Sequence, residues 1–439
     1  MAAVTQAAPR AEPLRIEDLA HDGRGVAHRG GKAVFVAGAL PGELVTLTKV
    51  QRYPDHDEAV LDQLLEASPD RVAPRCAHFG ICGGCALQHL APAAQLAAKQ
   101  RSLLDALARI GKVEPQRVLA SLAGEPWGYR RRARLGARLV RGKGRVLVGF
   151  RERKGRFIAD LTRCEVIEPR VGALLVELGT LLARLSIPDR IPQVELAAGD
   201  AALVLVLRHL LPLTATDLAA LRAFGAAHGV EWWLQPQGEG SAAPLDPPGS
   251  PLRYALAGYD AEIEFRPTDF IQVNAAVNRQ MVDQALALLG PVAGRPVLDL
   301  FAGLGNFTLP LARHGAEVLG VEGDAGLVAR ARTNAERQGI AARFAVADLF
   351  QPLDDYPWAR RRYAAVLLDP PRAGAREVVA RMPRFAPERI VYVSCHSGTL
   401  ARDAAVLVHD QGYRLAAAGA MDMFTHTAHV ESMALFERG

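Results

Sequence analysis

The pattern of hydrophobic and polar positions changes along the chain, and the largest change comes near Asp269. From residue 14 to residue 67, short alternating runs such as AVFVA and LVTLTKV are separated by turns that contain glycine. This spacing predicts a small five-stranded barrel. From Asp269 onward, short apolar runs alternate with helical patterns, which predicts a doubly wound α/β domain with a parallel sheet. Its buried strands are predicted at 297–300, 318–321, 364–368 and 390–393.

The middle of the chain mixes helical and strand patterns. Residues 75–89 are loop-like, a helical pattern covers 92–110, and a basic stretch with strand character covers 129–158. A segment rich in Gly, Pro and Ser at 235–251 predicts an irregular link. We therefore expect three domains: a barrel at 1–72 whose first residues are disordered, a central α+β domain at 73–265, and the α/β domain at 266–439. The helix at 92–110 belongs to the central domain in sequence, but it is a candidate to pack on the α/β domain.

The composition indicates a soluble cytoplasmic protein that contacts a polyanion. Half of the 439 residues are hydrophobic, no apolar run of membrane-spanning length is free of charge, and the N-terminus lacks the order of a signal peptide. The formal net charge is only +5, but residues 129–156 hold twelve Lys and Arg and a single acid, Glu152. Such a cluster, interleaved with aromatic residues, favours nucleic acid over a merely solvated face. The candidate contacts are Arg130, Arg131, Arg132 and Arg134.

A glycine-rich turn and three acids indicate a nucleoside site. Residues 297–309, VLDLFAGLGNFTL, predict a strand, a turn and a helix, and glycine is needed where backbone turns sharply against a ligand. The spacing differs from the dinucleotide fingerprint. Glu322 at the next strand end suits two ribose hydroxyls, and Asp348 suits an adenine amino group. Each acid alone is as readily a helix cap or a solvated loop end, but together with Asp299 they predict an adenosyl site of the methyltransferase kind.

Two further segments follow predicted strands of the α/β domain: DPPRAG at 369–374, and the turn that contains Cys395. Ligands bind at the carboxyl ends of the strands in such sheets. A single cysteine there is more often an inert buried thiol, but its place beside DPPRAG in an adenosyl fold favours a nucleophile. Glu431, flanked by His426 and His429, is the predicted base, and the alternative for it is a solvated carboxylate.

The other four cysteines lie in the N-terminal half. Cys76, Cys82 and Cys85 have C-x5-C-x2-C spacing, and Cys164 stands apart from them. In a protein predicted to be cytosolic, this pattern favours a metal site over disulfides. The spacing alone allows zinc as well as iron–sulfur.

The catalytic half resembles the RNA uracil-5-methyltransferase family. The matching segments, in the family's order, are FIQVNAAVN (270–278), LDLFAGLGNFTLPLA (298–312), DPPRAG (369–374), VYVSC (391–395), TLARD (399–403) and DMFTHTAHVE (422–431). The resemblance implies that Cys395 adds to C6 of a uracil, that C5 then accepts a methyl group from S-adenosylmethionine, and that Glu431 removes the C5 proton. It also implies that Phe270 stacks on a nucleotide of flipped-out RNA, and that the donor and base pockets are lined by Gln272, Phe301, Asn306, Glu322, Asp348 and Asp369.

The N-terminal half has counterparts in the same family. Its barrel resembles a TRAM domain, an RNA-binding module with a turn like Gly23-Arg24-Gly25. With Cys164, the three clustered cysteines resemble the four thiolate ligands of a structural [4Fe–4S] cluster in ribosomal-RNA members. Having both barrel and cluster implies an enzyme of the branch that acts on 23S rRNA. We expect it to be a monomer with no obligate protein partner.

The chain departs from the family's pattern at two places. His396 and Ser397 stand where Asn and Pro are common, and Thr425 stands where Pro is common. No reacting group is lost, so we expect changes in rate and target choice before any change of reaction. Two alternatives stay open: the same chemistry on another rRNA or tRNA uridine, and a catalytically weak RNA-binding factor of ribosome assembly.

Overall fold

The computed structural model describes residues 12–439, and the disordered start predicted for the first residues lies outside that range. The described residues form three large β-sheets and one hairpin. None of the helices in this part of the chain is both long enough and apolar enough to cross a membrane.

The first sheet closes on itself. Its strands are β1 (Leu14–Arg15), β2 (Asp18–Leu19), β3 (Gly25–Arg29), β4 (Lys32–Ala37), β5 (Leu44–Arg52) and β6 (His56–Glu66). The order is β1-β5-β6-β4-β3-β2, so β1 and β2 form opposite edges although they are consecutive in the chain. The short segment that contains β1 and β2 pairs with β5 through β1 and with β3 through β2, so it joins the two edges of the sheet. Ala27, Val36 and Val45 lie in the core that results.

The chain then passes through the cysteine loop, defined here as residues 73–91, into helix α1 (Pro92–Ala106). Pro92 stands in the first turn, where a missing N–H costs nothing. The helix widens into a π-turn at Leu107–Gly111, and a short strand follows, β7 (Arg117–Val118).

The central sheet carries the basic stretch. Its strands are β8 (Arg132–Val140), β9 (Arg145–Gly149), β10 (Gln193–Ala198), β11 (Leu203–Arg208), β12 (Glu231–Gln235) and β13 (Ala243–Pro244), in the order β13-β12-β11-β10-β8-β9. Its helices are α2 (Pro169–Gly172), α3 (Leu175–Arg184) and α4 (Ala215–His228). Thr214 and Asp217 begin α4 with reciprocal side-chain bonds to each other's backbone N–H. The predicted irregular link contains only the short β13 and one helical turn.

The third sheet follows a two-stranded hairpin, β14 (Leu252–Leu256) and β15 (Ala261–Phe265). Its strands are β16 (Pro296–Leu300), β17 (Glu317–Glu322), β18 (Arg343–Val346), β19 (Ala365–Leu368), β20 (Arg389–Ser394), β21 (Tyr413–Met421) and β22 (Glu431–Arg438). The helices are α5 (Ala275–Leu289), α6 (Thr308–Arg313), α7 (Ala325–Arg337), α8 (Arg376–Val379), α9 (Met382–Phe385) and α10 (Ser397–Ala405).

The strand order of this sheet is β18-β17-β16-β19-β20-β22-β21-β7. Strands β16 to β20 are mutually parallel, so the predicted doubly wound α/β domain and its four buried strands are confirmed. They are apolar on both faces because helices cover both sides. β22 runs antiparallel between β20 and β21, and this insertion positions the site described next.

Candidate active site

The predicted nucleophile and the predicted base lie across from each other. Cys395 directly follows β20, and Glu431 is the first residue of β22. The two strands are antiparallel, and Ser394 is paired with Ser432. One step beyond that pair, the register sets Cys395 opposite Glu431. Opposed residues of antiparallel strands have Cα atoms roughly 4.5–5.5 Å apart, so the thiol and the carboxyl face the same pocket.

Burial and like charge control the ionisation of this pocket. Glu431 is 8% exposed; burial, followed by Asp369, raises its pKa to about 8, against an opposing effect of Lys99. Burial raises the pKa of Asp369 to about 7. Burial, Glu431 and Asp369 together raise the pKa of Cys395 to about 11, and Arg372 opposes them. A carboxyl that changes charge near neutral pH is suited to accept and return a proton.

His396 caps the helix that follows the thiol. Its Nδ1 accepts a hydrogen bond from the backbone N–H of Thr399 at 3.2 Å, at the start of α10. That bond needs an unprotonated ring nitrogen, and burial together with Arg372 lowers the pKa of His396. Asn, the residue common in the family here, is a frequent helix cap. The imidazole of His396 therefore caps this helix as the side chain of an asparagine at the same position can.

Two acids line the glycine turn after β16. Asp299 is fully buried: its Oδ2 accepts a hydrogen bond from Thr308 Oγ1 at 2.5 Å, and burial raises its pKa to about 7. Its Oδ1 has no hydrogen-bond partner in the described part of the chain. At the end of β17, Glu322 accepts the backbone N–H groups of Gly303 at 3.1 Å and Asp324 at 3.0 Å. A fixed carboxylate and an unpartnered buried oxygen fit a ligand that brings its own N–H and O–H donors.

Amide side chains link this turn to its surroundings. Asn306 exchanges two hydrogen bonds of 2.9 Å with Asn278, and Tyr254 Oη donates to Asn306 Oδ1 at 3.0 Å. Gln272 Nε2 lies 3.5 Å from Asp369 Oδ2. Asn278 and Tyr254 were not among the predicted site residues. Asn278 ends the FIQVNAAVN segment, which was a signal for it, whereas nothing in the sequence of β14 distinguishes Tyr254.

Phe301, Asp348 and Phe350 lie together beside the turn. The rings of Phe301 and Phe350 are 5.7 Å apart, and Asp348 Oδ1 accepts the Phe350 N–H at 3.0 Å. Phe301 has a φ of 66°, which a side chain of this size rarely adopts. Phe350 was missed by sequence reasoning, and its 41% exposure beside the predicted adenine position is visible only in the fold.

An open groove of about 750 Å³ lies between the central sheet and the catalytic domain. Phe270, which is 69% exposed, lies on its wall. Of the predicted RNA contacts, Arg130, Arg132 and Arg134 line this groove, whereas Arg131 lines a smaller neighbouring cavity. The structure thus gathers three of the four arginines with the exposed aromatic ring.

Two arginines outside the basic stretch also line this groove, Arg266 and Arg330. Asp269 accepts hydrogen bonds from the Arg266 backbone N–H at 2.8 Å and from Arg330 Nη2 at 2.6 Å. These bonds brace the turn that presents Phe270. A count of local charge could not find either arginine, because each lies far from the basic stretch in sequence.

The four N-terminal cysteines line one cavity, and burial raises the pKa of Cys82 to about 11 and that of Cys85 to about 12. Burial also raises the pKa of Cys164. The cysteines of the described chain form no disulfide. Among residues 12–439, no three His, Cys, Asp or Glu side chains are grouped so as to hold a metal ion.

The chain is similar over nearly its whole length to known RNA-modifying enzymes. The 23S rRNA (uracil(1939)-C(5))-methyltransferase RlmD of Stenotrophomonas maltophilia (strain K279a) is 55% identical over 427 residues, which cover 96% of each chain. RlmD of Bordetella parapertussis is 53% identical over 433 residues, 97% of this chain and 92% of its own. Among solved structures, the Pyrococcus abyssi tRNA (uracil-54, C5)-methyltransferase in complex with S-adenosyl-L-homocysteine has a TM-score of 0.73 at 25% identity, covering 97% of this chain and 100% of that one.

The fold and the site together define a methyltransferase: a parallel sheet with acids at its strand ends and one antiparallel strand, β22, inserted between β20 and β21. The family model described as tRNA (Uracil-5-)-methyltransferase matches residues 253–439. The chain belongs to this family of RNA uracil-5-methyltransferases. The predicted membership is therefore confirmed, including the likeness to the 23S rRNA branch.

The electrostatics of the pocket predict how Cys395 reacts with iodoacetamide. Above pH 8, the ionised Glu431 raises the pKa of the thiol, so Glu431→Gln should lower that pKa and increase the thiolate fraction. We expect alkylation at pH 9 to be faster by about tenfold, the effect of one pKa unit, and little change at pH 6.5. Mass spectrometry of the peptide that contains Cys395 measures the rate, with Cys395→Ala as the blank. Equal rates at pH 9 would contradict the shared pocket.

Proposed function

We propose that this chain transfers a methyl group from S-adenosylmethionine to C5 of a uridine in 23S rRNA, through a covalent bond between Cys395 and C6 of the base. The observation that carries the proposal is the placement of Cys395 opposite Glu431 by the β20–β22 register. Full-length likeness to RlmD supports the substrate class, and a cytoplasmic site of action follows from that substrate.

The residues of the pocket divide the reaction into addition and elimination. The Cys395 thiolate forms a bond to C6, and the electrons of the C5=C6 bond move toward C5 and the O4 carbonyl. C5 would then form a bond to the methyl carbon of the donor, whose S–CH3 bond breaks with its electron pair left on sulfur, so that S-adenosylhomocysteine is the leaving group. The Glu431 carboxylate then takes the C5 proton, the C5=C6 bond reforms, and the thiolate leaves with the electrons of the S–C6 bond. Because Glu431 changes charge near pH 8, it is suited to this last step.

The donor site is proposed at the glycine turn. Glu322, held by two backbone N–H groups, would bind the ribose hydroxyls, and Asp348 would bind the adenine amino group beside Phe301 and Phe350. Asn306 belongs to the same pocket. Gln272 and Asp369, which are in contact with each other, would lie between the donor and the uracil.

RNA is proposed to lie in the groove that contains Phe270, with Arg130, Arg132 and Arg134 at the phosphates and Arg131 at its margin. The closed N-terminal sheet is proposed to be a TRAM-type module that extends this surface. Its turn at Gly23 packs on the cysteine loop, since a Cβ there would lie 3.0 Å from Leu87 Cδ2. We keep 1–72, 73–265 and 266–439 as the proposed domains.

We further propose a structural [4Fe–4S] cluster held by Cys76, Cys82, Cys85 and Cys164. Four thiolates around one zinc would be roughly 3.8 Å apart, given Zn–S bonds of about 2.3 Å. The four thiols share one cavity, and the resemblance of their spacing to that of the four thiolate ligands in ribosomal-RNA members supports iron–sulfur over zinc.

RNA that contains 5-fluorouracil tests the covalent mechanism. With S-adenosylmethionine, the wild-type protein should form a stable adduct with it, because C5 then carries no removable proton. Cys395→Ala should form none. Glu431→Gln should accumulate a methylated adduct on ordinary uracil RNA and lose at least about a hundredfold in turnover. Gel shifts under denaturing conditions report each adduct, and full turnover by Cys395→Ala would refute the mechanism.

Deletion of the gene tests the target. One uridine of 23S rRNA should lose its C5 methyl group, and a plasmid copy should restore it, whereas Cys395→Ala should not. Mapping 5-methyluridine across rRNA and tRNA reads the result. A loss confined to tRNA would favour the alternative substrate, and unchanged methylation with defective ribosome assembly would favour the non-catalytic factor.

Anaerobic purification tests the cluster. We expect a brown protein with about four irons per chain, with both colour and iron lost in Cys82→Ser. Exposed Ser250→Ala serves as the control and should keep the iron. Metal analysis that finds one zinc and no iron would contradict the cluster.

A further inference from the structure

Helix α1 holds the segment between β21 and β22, defined here as the base loop, residues 422–430. Lys99 Nζ donates to Asp422 Oδ1 at 2.6 Å and to the Phe424 carbonyl at 3.0 Å. The side chains of this ion pair are only 3% and 4% exposed. Removing one partner of a buried pair leaves an uncompensated charge, so the pair strongly constrains where the base loop lies on α1.

A second network joins the base loop to the cysteine loop. Gln95 Oε1 accepts the His426 N–H at 2.9 Å, and Gln95 Nε2 donates to the carbonyls of Leu87 and Leu90 at 2.9 and 2.7 Å. The His426 carbonyl accepts the N–H groups of Ala86 and Leu87 at 2.8 and 2.9 Å. Both loops are therefore bonded to α1 and to each other.

The base loop is also held from the central domain. Tyr129 Oη donates to the carbonyl of Thr425 at 3.0 Å, and the rings of Trp127 and His426 lie 4.0 Å apart. His426 has a φ of 67°, a left-handed conformation that costs free energy in a residue with a side chain. Such a conformation persists only where its surroundings impose it, so the loop has one defined path to Glu431.

Charged and titratable groups from three elements act on Glu431: Lys99 of α1, Asp369 after β19 and Cys395 after β20. Of these, Asp369 disfavours the carboxylate and Lys99 favours it. Asp422 neutralises part of the Lys99 charge through their ion pair. Burial lowers the pKa of Lys99, and Asp422 opposes that change.

We propose that Lys99 is a positioning residue for the proton-removal step, because it holds in place the base loop, which leads directly into Glu431. Its positive charge also favours the Glu431 carboxylate. The proposal rests on the proposed function, since it requires Glu431 to be the base. It predicts that loss of Lys99 affects the elimination half of the reaction and spares the addition half.

Lys99→Met tests this division. Adduct formation with 5-fluorouracil RNA should stay within about twofold of wild type, because it needs no base. Release of methylated product from uracil RNA should slow by at least about tenfold, and a covalent adduct should accumulate. Loss of the cation raises the pKa of Glu431 further, so the acidic limb of the release rate should move to higher pH. Rapid-quench measurements of adduct and free product give both rates.

Two further variants separate positioning from folding. Arg101→Met, a matched change at an exposed residue of the same helix, should leave both rates unchanged. Lys99→Met with Asp422→Asn leaves no unpaired charge of that pair, so it should fold normally and still show slow release and a displaced pH limb. Wild-type release in the double variant would overturn the proposal, as would an equal loss of both steps in Lys99→Met. No 5-fluorouracil adduct with the wild-type protein would instead contradict the proposed function.

Discussion

The antiparallel pairing of β22 with β20 is the constraint on which the site depends. In a purely parallel sheet, all strands end on the same side of the sheet. Cys395, at the end of β20, would then lie beside the end of the neighbouring strand, and the first residue of that strand would lie on the opposite side. Because β22 is reversed, its first residue, Glu431, lies at the edge where β20 ends. A one-residue slip would turn the carboxyl to the other face of the sheet. The observed register is held by six residue pairs, from Arg389 with Glu437 to Ser394 with Ser432.

The same pairing creates the electrostatic problem that the pocket exploits. Burial raises the pKa of Asp369, and burial followed by Asp369 raises the pKa of Glu431. A carboxylate with an ordinary pKa is a weak base near neutral pH, whereas one with a pKa of about 8 is a far stronger one, which suits the role that we propose for Glu431. The pKa of the Cys395 thiol is raised as well, so the thiol keeps its proton before the substrates bind. Binding of a cationic donor would shift this balance toward the thiolate.

Sequence reasoning reached the features that local patterns encode. Apolar runs placed the parallel strands within a few residues of their observed bounds, and Cys395 and Glu431 were identified through neighbouring motifs. The pairing of β22 could not be read, because it joins segments that are separated in the chain and depends on register. For the same reason Arg266 and Arg330 were missed, although they complete the basic groove. Phe350 was missed because its exposure is a property of the folded surface and not of the local sequence.

The contacts of α1 show why the N-terminal half cannot be a separate attachment. Gln95 and Lys99 are polar residues on a helix, and their pattern alone is that of a solvated face, yet both are buried. Gln95 has hydrogen-bond partners in both the base loop and the cysteine loop, and Lys99 has its partners in the base loop. A buried polar side chain needs hydrogen-bond partners for its polar atoms. The partners of these two side chains lie in the two loops, so the same few hydrogen bonds fix the positions of both loops. The cysteine loop and the base loop are thus joined in one hydrogen-bonded unit, through Gln95 and through the direct bonds of Ala86 and Leu87 to the His426 carbonyl.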